Sequence, residues 1–396
     1  MVTDIDMVIT MAKKSATKRR VLEILLAIFL IIIALFLFAF AYYWNKLSLI
    51  QFDDGTIKSE DTTYEEATEP VTDENGNIVT VNKDGSITTV NPNNETYLGN
   101  EEDLAKLSDN KQEIVPPTVN PVKDEKVVNI LLIATDEADT EFSNIANSDC
   151  MMLISADKAK GTIKLVSIER GTAVPIQTGR YAGQYDWINA MLRLGGPAML
   201  VETVEECFRV DIEGFVRVNS QTFIQIVNSC GGININLTQT EADYLNLKLP
   251  GSTVAKGHIK QLGIEDKLQT VKAGPNFVNG EMATLYARCR IIDDDWHRIG
   301  RQRKVIQSAI SSTRGLSVSE LNSMLDKVLP LVQTNLTKGQ ITELLFSAPK
   351  FANATVSEMS LPVNGTYSLM VGMYGKNMYS VDFDANAKAL QQFLYK

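Results

Sequence analysis

Five arginines and three aspartates crowd one short stretch, Tyr-Ala-Arg-Cys-Arg-Ile-Ile-Asp-Asp-Asp-Trp-His-Arg-Ile-Gly-Arg-Gln-Arg, running from Tyr286 to Arg303. Arginine offers a planar fork of donors that matches phosphate oxygens and stays charged when partly buried. Carboxylates beside it hold a divalent cation through oxygen. Together these are the groups that a pyrophosphate with Mg²⁺ (or Mn²⁺) requires. Arg288 and Arg290 are two apart, so an extended segment points both to one side. From about Trp296 the pattern turns helical, and Arg298, Arg301 and Gln302 fall at i, i+3 and i+4 on one face. The competing reading is a solvated, salt-bridged helix start.

Three further residues share that chemistry and sit where strands meet loops, which is where α/β folds place ligands. Asp136 follows the apolar run Val127 to Ala134, which reads as a buried strand. Asp149 precedes a second strand, Cys150 to Ser155, and Arg170 follows a third, Thr162 to Ile168. Taken singly, each acid also suits a cap or turn. Ile188-Asn189-Ala190 leads to the break Gly195-Gly196-Pro197, and Pro197 suits the first turn of a helix to Phe208. Further strands are expected at Phe215 to Val218, Ile233 to Leu237, Thr355 to Leu361 and Met378 to Phe383. Further helices are expected at Gln221 to Asn228 with Ser220 as cap, from the arginine motif to about Thr313, at Ser317 to Val328, at Lys338 to Ser347 and at the end of the chain. Strands alternating with helices predict an α/β fold, an α-β-α sandwich around a mixed sheet. His258 and His297 are the only histidines, and no Walker-type glycine loop occurs.

The chain has 396 residues and a net charge of -10. That balance argues against nucleic acid as a partner. Val21 to Trp44 is almost wholly apolar, long enough to cross a hydrocarbon core of ~30 Å as a helix. Lysines and arginines precede it, and Tyr42, Tyr43 and Trp44 close it, the pattern of a cytoplasmic side and an interface. The expectation is a short basic cytoplasmic segment (1–20), an uncleaved single-pass anchor (21–44), an acidic stalk (45–125) with one weak hairpin in Gly76 to Val90, and a folded extracytoplasmic domain (126–396) at the cell membrane. Phosphoryl chemistry outside the cytoplasm lacks ATP, so the substrate must carry its own high-energy bond. Cys150, Cys207, Cys230 and Cys289 permit two disulfides or none.

In order along the chain, Asn129-Ile130-Leu131-Leu132-Ile133 before Asp136, Ser148-Asp149, Lys164 to Arg170, Ile188-Asn189-Ala190, Asn279-Gly280-Glu281, and Tyr286 through Gln302 resemble the LytR-CpsA-Psr family of cell-wall glycopolymer ligases. The likeness runs from Val127 to the C-terminus. It implies that Asp136 and Asp149 hold Mg²⁺. It implies that Arg170, Arg288, Arg290, Arg298 and Gln302 bind the pyrophosphate of a polyprenyl-linked glycan, with Asp295 near the metal or orienting an arginine. An apolar tunnel for the lipid is implied too, with Phe215, Phe223, Ile226 and Val227 as candidate lining. The implied activity is Mg-dependent transfer of a teichoic-acid or capsule type glycopolymer from polyprenyl pyrophosphate to a peptidoglycan hydroxyl. A lipid-pyrophosphate hydrolase and a non-catalytic or regulatory glycan binder are the alternatives. Two residues depart from the family pattern: Gly171 stands where an aspartate is usual, and Trp187 where a lysine is frequent. Glu169 and His297 are then candidates for the role of that aspartate.

Overall fold

The computed structural model describes residues 41–57, 78–81, 87–90, 114–135, 137, 142, 146–177, 182–249, 252–289, 292–313, 316–351, 354–371 and 377–396. Asp136 and Arg290 lie outside them, as do 1–20 and most of the expected anchor. Among the described residues no helix is long and apolar enough to cross a membrane. The chain divides into two compact units, Met1–Ile50 and Gln51–Lys396. Of the first, residues 41–46 are helical and a single 3₁₀ turn follows at Leu47–Leu49.

The second unit opens with β1 (Gln51–Phe52), followed by the antiparallel hairpin β2 (Ile78–Val81) and β3 (Ile87–Val90), which pairs Ile78 with Val90. Three long strands come next, β4 (Val127–Thr135), β5 (Ser148–Asp157) and β6 (Thr162–Ile168), then the short pair β7 (Ala173–Pro175) and β8 (Tyr185–Trp187). Helix α1 (Met191–Phe208) breaks at Gly196, whose φ of 77° only glycine tolerates well, and resumes at Pro197. Then follow β9 (Gly214–Val218), α2 (Ser220–Ser229), β10 (Ile233–Leu237), α3 (Gln239–Leu245), α4 (Ser252–Leu262), β11 (Gly274–Val278), α5 (Gly280–Ala287) and α6 (Asp295–Thr313). The chain ends with α7 (Val318–Val328), β12 (Gln333–Thr334), α8 (Lys338–Ser347), β13 (Val356–Leu361), β14 (Tyr367–Val371), β15 (Asn377–Val381) and α9 (Phe383–Tyr395).

Seven strands form one sheet in the order β1-β12-β9-β4-β5-β6-β13. It is mixed: β4 runs parallel to β9 and antiparallel to β5, and β6 runs parallel to β13. Alternation along the strands assigns their side chains to opposite faces. Leu131, Ile133, Met151, Leu153, Val166 and Ile168 pack on one face against α1 and α9, through residues such as Phe208, Phe383 and Leu390. Leu132, Ala134, Cys150, Met152 and Leu165 take the other face, where Ile306 of α6 meets them. A second large core joins α2 to α6 with β10 and β11. Two pieces of the segment 45–125 also belong to this unit. β1 pairs with β12, while Ile114 is buried in the main core and Thr118 binds Asp384.

The observed helix α2 differs from expectation at its start. Asn219, not Ser220, is the cap: its side chain accepts from the Thr222 N–H at 2.9 Å. The shift leaves the Ser220 hydroxyl available to the site. All four cysteines are buried free thiols.

Candidate functional site

The site forms where β4 and β6 end, β5 starts and the N-terminal turns of α6 begin. Local sequence fixes each part. Asn279 caps α5 by accepting from Met282 N–H at 3.0 Å, and Asn228 of α2 accepts from Gly280 N–H at 2.7 Å. A Cβ on Gly280 would meet the backbone of Ile224, with the Ile224 Cα only 2.8 Å away, so only glycine lets α2 and α5 touch this closely. Helix α5 then ends at Arg288, its C-terminal cap, with φ -95° and ψ 0°. Arg288 is therefore a helix end and not part of an extended segment, while Arg290 lies outside the described residues. The 3.6-residue repeat of α5 governs the position of Arg288.

Asp295 opens α6, where a carboxylate suits the helix dipole. Its Oδ2 accepts from Arg170 Nε at 3.0 Å and from Arg298 Nη2 at 2.8 Å. Of its two expected roles, this is arginine orientation. Arg298 also reaches Asp149 Oδ1 at 3.4 Å, and Arg170 approaches the same oxygen at 3.8 Å. Gln302 donates to the backbone carbonyl of Asp149 at 3.2 Å. Four residues distant in sequence, Asp149, Arg170, Asp295 and Arg298, thus form one cluster, and the side chain of Arg298 is only 2% exposed. Burial pulls the Arg170 guanidinium toward deprotonation, but the charges of Asp295 and Asp149 outweigh it and its pKa is raised. It stays cationic at every working pH. Trp187, in place of the lysine, stacks over Arg170 with the guanidinium 5.5 Å from the ring centroid.

Arg288 is different. Its guanidinium donates only to neutral groups, Ser220 Oγ at 3.2 Å and Gln261 Oε1 at 3.4 Å, and forms no ion pair among the described residues. With no counter-charge among the described residues, this cation at the rim of a cavity is poised for an anion. Arg301, by contrast, turns away from the cluster. It binds Asp293 at 2.7 Å, the carbonyl of Cys289 at 2.7 Å and Glu241 at 3.5 Å, and so ties both flanks of residues 290–291 to α6. Gln302 lies on the cavity flank of α6, with Arg298 one turn before it at Asp149, and Arg301 lies on the core flank, although all three share a broad helical face. Arg303 pairs with Glu358 at 2.8 Å.

Beneath the cluster lies a cavity of about 290 Å³. Leu132, Ala134 and Val218 of the sheet, Phe223 and Ile226 of α2, and Ile306, Ala309 and Ile310 of α6 make its walls, with Asp149, Arg288 and Gln302 on its polar rim. Phe223 and Ile226 are therefore lining residues as expected. Phe215 is wholly buried in the core on the opposite face of the sheet, and Val227 points into the core around β10 and β11. Both lie on the inward side of their elements, away from the cavity.

A sequence profile described as the LytR_cpsA_psr family matches residues 91–393. The chain belongs to the LytR_cpsA_psr family. Among curated relatives, a Bacillus licheniformis protein named polyisoprenyl-teichoic acid–peptidoglycan teichoic acid transferase TagU is 29% identical over 60% of this chain and 69% of its own. Biofilm regulatory protein A of Streptococcus mutans is 28% identical over 54% of this chain, and the match spans only 51% of that relative's length. The fold matches the crystal structure of Bacillus subtilis TagV with a TM-score of 0.52 at 24% identity, over 69% of this chain and 98% of that one. It also matches a structure titled TagT bound to LIIa-WTA, with a TM-score of 0.51 at 22% identity, over 68% and 91% of the two chains.

Against the family pattern, the residue after Arg170 stands out. Gly171 donates its N–H to Glu169 Oε1 at 3.2 Å, and its carbonyl accepts from Tyr379 N–H at 2.9 Å. Glu169 is wholly buried, so it does not itself reach an acceptor. His297 is 65% exposed, with Nδ1 2.6 Å from Asp294 Oδ1. Sequence reasoning missed Ser220 and Gln261. A serine after a capping asparagine carries a weak signal, and Gln261 carries none.

Proposed function

We propose that this chain is a membrane-anchored extracytoplasmic phosphotransferase. It moves a glycopolymer from a polyprenyl-pyrophosphate carrier to a peptidoglycan hydroxyl and forms a phosphodiester. One observation carries the reading: an apolar cavity whose rim holds Arg288, Gln302 and Asp149, the last bound to Arg170 and Arg298. A prenyl tail suits the walls and a pyrophosphate suits the rim. Relatives named as teichoic acid transferases support the same class.

Each residue then has a physical task. Arg288, which pairs with no carboxylate among the described residues, supplies its charge to the pyrophosphate, and a charge-assisted bond of this kind is worth roughly 1.5–3 kcal/mol. Arg170 and Arg298 are preset by Asp295, so they need no reorganisation as charge shifts toward the leaving phosphate. Gln302 holds the Asp149 backbone. Arg290 is assigned to the pyrophosphate with them, and Asp136 and Asp149 to the cation. Asp149 offers hard oxygen at the rim with its side chain 25% exposed, which fits Mg²⁺. No group of three or more carboxylate, histidine or cysteine ligands occurs among the described residues. Mg²⁺ is held by one or two carboxylates and completed by phosphate and water. The ion would neutralise pyrophosphate charge. The acceptor hydroxyl attacks the sugar-side phosphorus and lipid monophosphate leaves, with the arginines doing mostly positioning and charge stabilisation. The residues 21–44 would hold this site at the outer surface of the cell membrane.

The test incubates the full chain in detergent with polyprenyl-pyrophosphate-linked glycan, Mg²⁺ and peptidoglycan fragments, read by mass spectrometry. A phosphodiester-linked product that EDTA abolishes is expected. Free phosphoglycan alone would make the protein a hydrolase, and intact lipid-linked glycan that co-purifies would make it a non-catalytic binder.

A further inference from the structure

Arg217 is a charged residue where the strand pattern calls for an apolar one. It lies in β9 on the same face as Phe215, and its side chain is 2% exposed. Burying a guanidinium is costly unless it is paired and hydrogen-bonded. Nη2 donates to Glu137 Oε2 at 3.1 Å, and the Phe142 ring covers the guanidinium with its centroid 4.8 Å away. Nη1 donates at 3.3 Å to Oε1 of Gln333, the residue directly opposite on β12. Gln333 donates in turn to Asp53 Oδ2 at 3.4 Å, and Asp53 directly follows β1. Burial pulls the pKa of Arg217 down, and the charges of Glu137 and Asp53 oppose that pull.

Glu137 carries this network to the candidate site. It stands two residues beyond the end of β4, where its carboxylate also accepts from the Thr135 hydroxyl. Its backbone carbonyl accepts from the Ser220 N–H at 3.3 Å. That N–H belongs to the first turn of α2, whose leading N–H groups have no acceptor within the helix. The Ser220 hydroxyl then accepts from Arg288 Nη1 at 3.2 Å. A continuous path thus runs from Asp53 through Gln333, Arg217, Glu137 and Ser220 to Arg288. A buried ion pair of this kind adds little net stability. Its effect is geometric: it fixes the chain after β4 against the start of α2.

We propose that Arg217 and Glu137 are positioning residues that hold Arg288 in its binding posture through Ser220, with β1 anchoring the far end of the path through Asp53. The inference rests on the role given to Arg288 in the proposed function. Neither Arg217 nor Glu137 lines the cavity, so each acts through another group. Ser220 is the last link, and it lines the cavity beside Arg288.

Two measurements on the full chain in detergent test this. The first is a double-mutant cycle of Glu137→Ala and Arg288→Ala, read as calorimetric affinity for geranylgeranyl pyrophosphate with Mg²⁺. Glu137→Ala should weaken binding about tenfold when Arg288 is present and at most about twofold when Arg288 is already alanine, because residues acting through one group do not add. Equal losses in both backgrounds would overturn the proposal. Glu137→Gln still accepts from Arg217 and should recover most of the affinity. Ser220→Ala deletes one hydroxyl and should weaken binding to a similar extent as Glu137→Ala; wild-type affinity in that variant would overturn the proposal. The second measurement needs no ligand. Phenylglyoxal modification, mapped by peptide mass spectrometry, should run severalfold faster at Arg288 in Glu137→Ala, Ser220→Ala and Asp53→Ala, and unchanged at the buried Arg301. Wild-type rates at Arg288 in the first two would overturn the proposal, and so would an equal rise at Arg301, which marks general loosening. A wild-type rate in Asp53→Ala would overturn the part assigned to β1. Failure of wild type to bind the probe at all would count against the proposed function, leaving the modification rates to decide the path to Arg288.

Discussion

Arg288 and Arg301 are close in sequence and opposite in circumstance, and replacing each should separate function from folding. Arg288→Ala removes two long bonds to neutral partners, at 3.2 and 3.4 Å, from a half-buried side chain. Net contributions of such bonds are about 0.5–1.5 kcal/mol each, and the lower end applies at these distances, so stability should fall by about 1 kcal/mol. The same guanidinium, donating two charge-assisted bonds to pyrophosphate, would contribute roughly 3–4 kcal/mol to the transition state, a loss of about 10²–10³ in kcat/KM. Arg301→Ala strips a side chain that is 2% exposed from Asp293, Glu241 and the Cys289 carbonyl. Breaking a buried pair of that kind costs about 3–5 kcal/mol. Urea unfolding of both variants, beside single-turnover transfer of a lipid-linked glycan, reads the two effects. A folded Arg288→Ala protein with wild-type turnover would refute the assignment of the site. An Arg301→Ala protein as stable as wild type would refute the division between the two arginines.

Ala309→Trp should fill the cavity wall at α6 and abolish binding of a prenyl pyrophosphate, while inorganic pyrophosphate with Mg²⁺ still binds; isothermal calorimetry distinguishes the two. Gly280→Ala should destabilise by about 1–3 kcal/mol or more, because the added carbon meets the Ile224 backbone, which does not rotate away; thermal unfolding checks it. Glu169 holds in the folded state a proton that the unfolded chain releases. Its burial therefore costs nothing below about pH 4.5, reduces stability as pH rises toward about 8, and is constant above that. Glu169→Gln should accordingly gain on wild type by at most ~1.4 kcal/mol per pH unit across that window, read as the divergence of their urea midpoints.

The fold was legible wherever a local pattern has one physical solution. β6 is an apolar run bounded by polar turns, and its limits match the expectation residue for residue. α8 carries the box Thr337 and Gln340, and it too starts and ends as the pattern predicts. The short helices α3 and α4 and the strand β11 were not foreseen, because their burial depends on a core assembled from four other elements, α2, β10, α5 and α6. At the site, the strand ends marked Asp149 and Arg170, and helical spacing joined Arg298 to Gln302. Spacing does not say which flank of α6 packs inward, so Arg301 appeared equivalent to Arg298. Phe215 and Val227 appeared equivalent to Phe223 and Ile226 for the same reason. Nor does sequence report depth: nothing in Ser-Ile-Glu-Arg-Gly distinguishes a surface glutamate from the wholly buried Glu169.

Helix α6 begins at the charged cluster and its later turns wall the cavity. Arg298 and Ile310 stand twelve residues apart, about 18 Å along the axis. A single rigid rod therefore measures the ligand from head to tail. Each added isoprenyl unit that still lies against the rod should tighten binding, at about 0.8 kcal/mol per buried methylene. Units beyond the last turn should add nothing, since they return to the surrounding hydrocarbon. A series of prenyl pyrophosphates of increasing length should thus show affinity that climbs and then levels, and the break point would read out the length of the helix.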